Sequence, residues 1–454
     1  MYIKHITFSD LRCFKTAEME LKYPGKVQDK ATSSAVVLEN VNLILGVNGY
    51  GKTTVLKALT LSLLAQFDLN SGFRPYSLVR RDETGYASKV VVSTEVVFGA
   101  LDRLKTPEPL QTITLGSFVE RKGTQEVLRY ERSNEAVDQS ELFEELYLDN
   151  SPSFFMVAYG ATRRVESGEF DSSFRFKSRA ARYNRIAGLF EDHLALTPLR
   201  AWLPKVHPKA RLEEVINLIQ DLLPDGLGFE GLQEQDEYVF NHHGINVAFP
   251  ALSDGYRAYI GWITDLVSHL VTVCPERTDL RDLTGVVLVD EIDLHVHPTW
   301  QRLIVAQIAN ALPKLQFVFT THSPIVAGSV SSRNLFVVAE SEDGTSSVIS
   351  RPEAEIYGLS ADQVLTSSMF GLSSTRAPGF VKELEKLESK ATQGNPEAAM
   401  ALMRGLSRGA GATLETEEDV PDWVKAAAKK TPAERKRKLA PAKAKQLTDT
   451  KGKG

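Results

Sequence analysis

Residues 41 to 64 read VNLILGVNGYGKTTVLKALTLSLL, and this stretch decides the fold. The run from Val41 to Leu45 is mostly apolar, which is typical of a buried strand, and apolar residues with helical spacing begin at Val55. Between them, residues 46 to 53 match G-x-x-x-x-G-K-S/T at every fixed position. A strand, a glycine-rich turn and a helix in this order predict a loop that binds nucleotide phosphates. The alternative is a glycine turn without a ligand, but such a turn would not need to lie directly between an apolar strand and a helix.

The fixed residues of this loop each have a chemical role. Glycines let successive backbone N–H groups point inward around a triphosphate, and the start of the helix adds the positive end of its dipole. Lys52 supplies an ammonium for the β- and γ-phosphates, and Thr53 offers its hydroxyl to Mg²⁺. We therefore expect a nucleoside triphosphate and Mg²⁺ to be bound by Gly46, Asn48, Gly49, Gly51, Lys52, Thr53 and Thr54.

Two acids follow a second apolar run. Residues 286 to 289 are VVLV, and Asp290 and Glu291 come directly after them. A short, fully apolar run is typical of a central strand in a parallel sheet, whose carboxyl edge carries the ligand-binding turns. There Asp290 would hold Mg²⁺, and Glu291 would polarise the water that attacks the γ-phosphate. The two acids alone could also form a solvated turn, but the glycine loop favours the functional interpretation.

A histidine ends the next apolar run. His322 follows LQFVFTT, and a neutral imidazole at that strand end can hydrogen-bond the γ-phosphate or the attacking water. A lone histidine is more often a packing residue, but the position one strand after the acidic pair favours a functional role. His295 and His297 lie nearby in the sequence. Without an evident third ligand, we expect them to pack in a loop rather than to bind a metal.

A fourth candidate element is the sequence LSDG at residues 252 to 255. Ser253 and Gly255 stand at the start of a predicted helix, where a hydroxyl, free amides and the helix dipole together attract an anion. Taken alone, this element is more simply an ordinary helix N-cap. Its interpretation therefore depends on the other three elements.

The composition excludes several classes of protein. The chain has 454 residues, of which 43% are hydrophobic and 24% charged, so it is neither disordered nor collagen-like. Cys13 and Cys274 cannot build a disulfide framework, and we expect a reducing, cytoplasmic compartment without a targeting signal. The most apolar later segment, residues 258 to 275, contains Asp265 and His269, so we expect no membrane span.

The net charge of −5 is unevenly distributed. Residues 425 to 454 are rich in Lys and Arg and contain only Glu434 and Asp449 as acids. We expect this basic tail to be flexible. It is a candidate contact for DNA or for an acidic partner, and a solvated terminus without a role is the alternative.

The remaining patterns predict an α/β fold with five parts. Alternating runs between residues 85 and 132 indicate an antiparallel β arm, and strands that alternate with helices around residues 285 to 340 indicate a mostly parallel sheet. The expected parts are an N-terminal part of a P-loop NTPase core at 1–165, an inserted, mainly helical lobe at 166–245, the C-terminal part of the core at 246–345, a helical extension at 346–424 and the basic tail at 425–454.

In this order, GVNGYGKTT, LSDG, VVLVDEIDLHVHP and TTHSP resemble the Walker A, signature, Walker B and switch-histidine motifs of ABC-type ATPases of the Rad50/SMC/RecF/OLD group. The stretch from 250 to 330 is more narrowly similar to the ATPase subunits of Septu-type antiphage systems, and the PARIS ATPase is another candidate relative. The resemblance covers residues 1–67 and 250–330, less than half of the chain.

This resemblance implies an ATPase head that binds ATP and Mg²⁺ and pairs with a second head. By position, Lys52 and Thr53 bind phosphate and Mg²⁺, Asp290 assists Mg²⁺, Glu291 is the catalytic base and His322 is the switch. Ser253 and Gly255 act on the nucleotide of the other head, and Arg12 contacts the nucleotide of its own. Two departures are Asp254 and Tyr256 in the signature. No glutamine marks a Q-loop, for which the stretch AYGATRR is the expected neighbourhood.

Spacing narrows the functional alternatives. Asp290 follows Lys52 by about 240 residues, too few for the long coiled coils of SMC or Rad50 proteins, and no TOPRIM-like acidic cluster follows His322. The first hypothesis is an antiphage ATPase that forms a homodimer or a higher homo-oligomer and controls a separate effector nuclease of HNH or TOPRIM type. The second is a RecF- or Rad50-like ATPase of DNA repair or recombination. The third is a scaffold that binds ATP only for structural reasons.

Overall fold

The computed structural model describes residues 1–26, 37–64, 76–83, 85–98, 112–131, 154–165, 181–192, 194–234 and 237–407. The strands in these ranges are β1 (Tyr2–Leu11), β2 (Phe14–Glu20), β3 (Val41–Gly46), β4 (Arg81–Asp82), β5 (Gly85–Tyr86), β6 (Lys89–Val97), β7 (Thr112–Lys122), β8 (Gln125–Glu131), β9 (Met156–Tyr159), β10 (Leu227–Gly228), β11 (Gln233–Glu234), β12 (Glu237–His242), β13 (Ile245–Ala248), β14 (Gly285–Val289), β15 (Leu315–Thr321), β16 (Leu335–Glu340) and β17 (Ser347–Ser350).

The α-helices of the same ranges are α1 (Lys52–Leu64), α2 (Ala181–Ile186), α3 (Leu199–Trp202), α4 (Lys209–Leu222), α5 (Asp254–Val273), α6 (Pro298–Gln301), α7 (Ile304–Ala311), α8 (Pro324–Gly328), α9 (Ala361–Leu365), α10 (Pro378–Thr392) and α11 (Pro396–Ser407). No helix among the described residues is both long and apolar enough to cross a membrane.

A six-stranded sheet carries the functional elements. Its strand order is β17-β16-β3-β15-β14-β9, and every neighbouring pair is parallel except β16 with β17. Strands β3, β9, β14 and β15 are buried along their whole length, as expected for strands covered on both faces. The predicted mostly parallel α/β sheet is therefore confirmed.

Alternate residues of these strands belong to two separate hydrophobic cores. In β14, Val287 and Val289 face the core that contains α4, α5 and α7, whereas Val286 and Leu288 face the core that contains α1. This division follows from the two-residue period of a strand. Fully burying a Val or Leu side chain contributes about 1.5–3 kcal/mol, so a polar substitution on either face of β14 should destabilise the fold.

The predicted antiparallel β arm is a five-stranded sheet. Its order is β2-β1-β6-β7-β8, and all its pairs are antiparallel. In β6 the burial alternates along the strand, because Val90, Val92 and Val96 face the core that also holds Val55 and Leu59 of α1. The sheet therefore covers the face of the central sheet on which the helix after the glycine loop lies.

The inserted segment contains more than the predicted helices. Strands β10 to β13 form a small antiparallel sheet, which the sequence analysis did not predict. Phe240 of β12 stacks on Phe229, with their ring centroids 4.9 Å apart. Both rings belong to the same core as Leu218 of α4 and Ile263 of α5. The segment thus shares its core with the central sheet.

The chain divides into two compact units, Met1–Leu372 and Ser373–Gly454. In the described part of the second unit, α10 and α11 pack closely, since a Cβ added to Gly405 would lie 2.7 Å from Leu384 Cδ2. The basic tail predicted at 425–454 and residues 408–424 lie outside the described residues.

Candidate active site

The glycine loop connects β3 to α1 and needs glycine at three positions. Gly49 and Gly51 adopt φ values of +94° and +103°, in the left-handed region that favours glycine. A Cβ on Gly46 would lie 2.4 Å from the Val338 carbonyl oxygen, and one on Gly51 would lie 2.4 Å from Cys13 Sγ. The loop is therefore held against β16 and against the turn between β1 and β2. Its backbone shape depends on this lack of side chains.

The Lys52 side chain lies along the loop and is largely buried. Its Nζ donates hydrogen bonds to the Gly46 carbonyl at 2.8 Å, to the Val47 carbonyl at 3.3 Å and to Asn48 Oδ1 at 3.2 Å. Burial lowers the pKa of Lys52, and the negative charges of Glu291 and Asp290 oppose this shift. The ammonium is thus surrounded by oxygen acceptors, an environment that phosphate oxygens would also provide.

Asp290 accepts hydrogen bonds from two threonines. Thr53 Oγ1 donates to its Oδ2 at 2.7 Å, and Thr320 Oγ1 donates to its Oδ1 at 2.5 Å. The side chain is buried at the end of β14. A hydroxyl next to a carboxylate is a pair of hard oxygen ligands, which Mg²⁺ prefers, so the residues present fit this ion. Thr320 is a site residue that the sequence analysis did not identify.

Glu291 has an unusual backbone conformation that hydrogen bonds hold from both sides. Its φ is +48°, which costs a non-glycine residue about 1–2 kcal/mol. Its N–H donates to Thr320 Oγ1 at 2.8 Å. Its carbonyl accepts from Arg163 Nη2 at 2.7 Å and from the Leu294 N–H at 3.0 Å. These bonds hold the backbone of Glu291 in this conformation.

His322 lies at the open end of β15, next to a buried acid. Its side chain is 45% exposed, and its Nε2 lies 3.7 Å from Asp293 Oδ2. Asp293 also accepts a hydrogen bond from Thr321 Oγ1 at 2.5 Å. An imidazole exposed at this strand end can hydrogen-bond a ligand that lies there. Asp293 was missed by the sequence analysis, although the third acid of DEID was a usable signal.

The signature turn packs against the loop that follows the acidic pair. Ser253 is exposed at the N-cap of α5, and its side chain caps no backbone N–H of the described helix. A Cβ on Gly255 would lie 2.7 Å from the carbonyl oxygen of His295. No hydrogen bond among the described residues joins Ser253 or Gly255 to the glycine loop of the same chain.

Arg12 lies in the turn that contacts the glycine loop. Its Nε donates to the Ser77 carbonyl at 2.9 Å, and its φ is +50°. The adjacent Cys13 Sγ donates to the Tyr50 carbonyl at 3.3 Å. Burial lowers the pKa of Lys57 in α1, and the positive charge of Arg12 adds to this shift. Arg12 is therefore close to the start of α1, and its contact with the nucleotide stays a prediction.

The histidines between the acidic pair and α6 take part in the loop. His297 Nδ1 accepts a hydrogen bond from the Thr299 N–H at 3.3 Å and so caps α6. His295 adopts a φ of +64°, and its carbonyl oxygen is the closest neighbour of the signature glycine position described above. Both observations give these residues structural roles.

Together these elements define an ABC-type ATPase. The glycine loop, the acidic strand end and the histidine strand end meet on neighbouring parallel strands β3, β14 and β15 of one sheet. A family model described as "AAA domain, putative AbiEii toxin, Type IV TA system" matches residues 41–327. This match covers more than half of the chain, and the chain belongs to that family.

Three relatives show the extent of the similarity. The chain is 26% identical over 335 residues to the Septu protein PtuA of Bacillus mycoides, which covers 73% of this chain and 41% of that protein. It is 23% identical over 373 residues to the Septu protein PtuA of Bacillus thuringiensis, covering 79% and 85% respectively. It is 29% identical over 205 residues to the Retron Ec83 probable ATPase of Escherichia coli, and this match covers 43% of this chain and 37% of that protein.

The matches therefore span less than half the length of the Bacillus mycoides and Escherichia coli relatives. Among solved structures, the SMC head domain from Thermotoga maritima matches 78% of this chain and all of its own length, with 15% identity and a TM-score of 0.43.

Proposed function

We propose that this chain hydrolyses ATP between two paired heads and that this cycle controls a separate effector nuclease in antiphage defence. The observation that carries the proposal is the meeting of Lys52, Thr53, Asp290 and Glu291 at the carboxyl edge of one sheet. This arrangement supplies a cation for phosphate, oxygen ligands for a metal and a base for water. Each is required for phosphoryl transfer to water.

The chemistry assigns one task to each group. Lys52 neutralises charge on the β- and γ-phosphates, and Glu291 accepts a proton as water attacks the γ-phosphorus and the bond to the bridging oxygen breaks. Thr53 and Asp290 would hold Mg²⁺, which neutralises phosphate charge when bound. His322 donates a hydrogen bond to the γ-phosphate or bonds the attacking water, and so distinguishes ATP from ADP.

The signature motif supports pairing of two copies. Ser253 is exposed, and it makes no hydrogen bond to the glycine loop of its own chain among the described residues. We infer that it reaches the nucleotide of a second copy, together with Gly255. The substitution Ser253→Arg should then block the ATP-dependent dimer while leaving ATP binding by the single chain within twofold, as measured by light scattering and by titration calorimetry.

The defence role rests on the relatives. Two of them are named as Septu proteins and one as a retron ATPase. The matches cover less than half the length of the Bacillus mycoides protein and of the retron ATPase. We infer that the partner is a separate nuclease of HNH or TOPRIM type, as the resemblance to Septu-type ATPase subunits implies. DNA is a second candidate partner, through the basic residues of 425–454.

The test combines infection with copurification. Cells that carry the native gene neighbourhood should resist phage, and Lys52→Ala and Glu291→Gln variants should lose that resistance. Purification of the chain from the same cells should recover a nuclease. Unchanged resistance in both variants, together with no recovered nuclease, would contradict the defence role. ATP turnover that DNA stimulates, without any protection, would support the repair and recombination alternative instead.

A further inference from the structure

The loop after β9 runs beside the catalytic loop. Strand β9 pairs in parallel with β14, with Tyr159 opposite Val289, and the Asp290 N–H donates to the Tyr159 carbonyl at 2.8 Å. Residues 160–165 therefore leave the sheet at the same edge as residues 290–294. Arg163 lies in this loop, within the stretch AYGATRR at residues 158–164.

The Arg163 guanidinium contacts the backbone of the catalytic base and is charged. Its Nη2 donates to the Glu291 carbonyl at 2.7 Å, while its Nη1 is buried and has no hydrogen-bond partner among the described residues. Burial lowers the pKa of Arg163 to about 10, and the carboxylates of Asp290, Asp293 and Glu291 oppose this shift. A buried cation that uses only part of its hydrogen-bonding capacity is costly, which points to a role beyond packing.

Glu291 needs such a partner. Its left-handed backbone conformation is held by Thr320 on the N–H side and by Arg163 and Leu294 on the carbonyl side. Of these contacts, the Arg163 bond alone is both charge-assisted and supplied by a different strand end. Removing it would leave the Leu294 N–H as the remaining donor to this carbonyl among the described residues, so the backbone that carries the Glu291 side chain would be held less firmly.

Helix α5, which begins at the signature motif, holds the Arg163 loop in place. The Arg163 guanidinium lies 5.9 Å from the ring centroid of Trp262, and the Tyr159 hydroxyl donates to Asp265 Oδ2 at 2.9 Å. A Cβ on Gly261 would lie 2.4 Å from Val165 Cγ2. The loop therefore packs directly against α5, and Arg163 connects this packing to the backbone of Glu291.

We propose that Arg163 is a positioning residue for hydrolysis: it fixes the Glu291 backbone so that the carboxylate faces the attacking water, and it links the signature helix to this base. This inference rests on the proposed ATP hydrolysis. It assigns no contact between Arg163 and the nucleotide, so it predicts a change in kcat without a matching change in ATP affinity.

The kinetic test compares Arg163→Met, Arg163→Lys and the control Arg164→Met, whose side chain is exposed in the same loop. We expect Arg163→Met to lower kcat by roughly 10- to 100-fold, with the ATP Kd changed less than twofold, and Arg163→Lys to recover part of the loss. Parental turnover in Arg163→Met would overturn the inference. So would a Kd that rises as much as kcat falls.

A coupling test uses single turnovers of γ-labelled ATP with the protein in excess. If Arg163 acts through Glu291, Arg163→Met should slow Glu291→Gln less than twofold, because the group that it positions is already inactive. A full additional loss in the double variant would contradict this mechanism.

An activity-independent measurement separates this inference from the proposed function. In hydrogen–deuterium exchange, the peptide covering residues 288–296 should exchange roughly tenfold faster in Arg163→Met than in the parent, whereas Arg164→Met should match the parent. Unchanged exchange in Arg163→Met would refute the positioning role, even if the chain hydrolyses ATP. If the parent does not hydrolyse ATP, the proposed function fails, and the exchange result still decides whether Arg163 holds Glu291.

Discussion

Replacing Glu291 by glutamine is the sharpest test of the site. The substitution keeps the shape of the side chain and removes its basicity. Among the described residues, every hydrogen bond of Glu291 is made by its backbone N–H or carbonyl. The left-handed conformation is therefore retained, and we expect the free energy of unfolding to change by less than about 0.5 kcal/mol. The substitution should therefore slow the chemical step of hydrolysis and leave folding unchanged.

The expected magnitude follows from the role of a general base. Loss of such a group lowers the rate by ~10² to 10⁴-fold, which corresponds to about 3–5 kcal/mol in the activation barrier. ATP binding should persist because Lys52 and the glycine loop are unchanged. The variant should therefore accumulate as an ATP-bound dimer.

Two measurements check this prediction. Steady-state phosphate release gives kcat, and light scattering with and without ATP gives the mass of the paired state. The matched control is Glu342→Gln, an exposed acid in a turn after β16, which should behave as the parent. Hydrolysis by Glu291→Gln at the parental rate would refute the assignment of Glu291, and loss of ATP binding would refute the claim that the side chain acts only in chemistry.

Three further substitutions test other parts of the structure. Lys52→Ala should weaken ATP binding by roughly 10- to 100-fold in titration calorimetry, because a buried cation on the phosphates is lost, and unchanged affinity would contradict its role. Gly46→Ala should lower the free energy of unfolding, measured in urea, by about 1–3 kcal/mol, because the added Cβ would lie 2.4 Å from the Val338 carbonyl oxygen. The control Gly379→Ala should not lower it, because no atom lies within 4 Å of the Cβ position at Gly379. Lys22→Met should raise stability at pH 7. Burial, together with the neighbouring arginines, lowers the pKa of Lys22 from its ordinary value of 10.5 to about 8, so the folded chain binds this proton less tightly than the unfolded chain. Parental stability should accordingly rise between about pH 8 and 10.5, and the variant should lose this rise.

The sequence predicted those parts of the site that local chemistry requires. Glycine was identifiable at positions 46 and 51 because the motif fixes it there, and the structure leaves no space for a Cβ at either position. Gly49 stands at a variable position of the motif, and its left-handed φ is the reason that it favours glycine. Asp290 and Glu291 were identifiable because two acids directly follow an apolar strand. In both cases the residues that form the pattern lie within about ten positions of one another in the sequence.

The missed residues depend on contacts between distant strands. Arg163 reaches Glu291 because β9 pairs with β14, although the two residues are 128 positions apart. Thr320 reaches Asp290 because β15 pairs with β14 on its other side. Both residues lie in stretches that the resemblance marks, TTHSP and AYGATRR, but neither stretch shows locally which strand end its side chain contacts. The small sheet β10–β13 was missed for a related reason: its strands are two to six residues long, too short for a clear alternation of apolar and polar residues.

The strand order explains why these groups act as one unit. Strands β3, β15, β14 and β9 are consecutive neighbours in the sheet, and the residues that follow or end them supply the glycine loop, Thr320 with His322, the acidic pair and Arg163. Thr320 bonds both Asp290 and the Glu291 N–H, so a shift of β15 relative to β14 would disturb the proposed metal ligand and the proposed base together. Rate losses from substitutions at Thr320 and Arg163 should therefore be non-additive, since both residues hold the same peptide of Glu291.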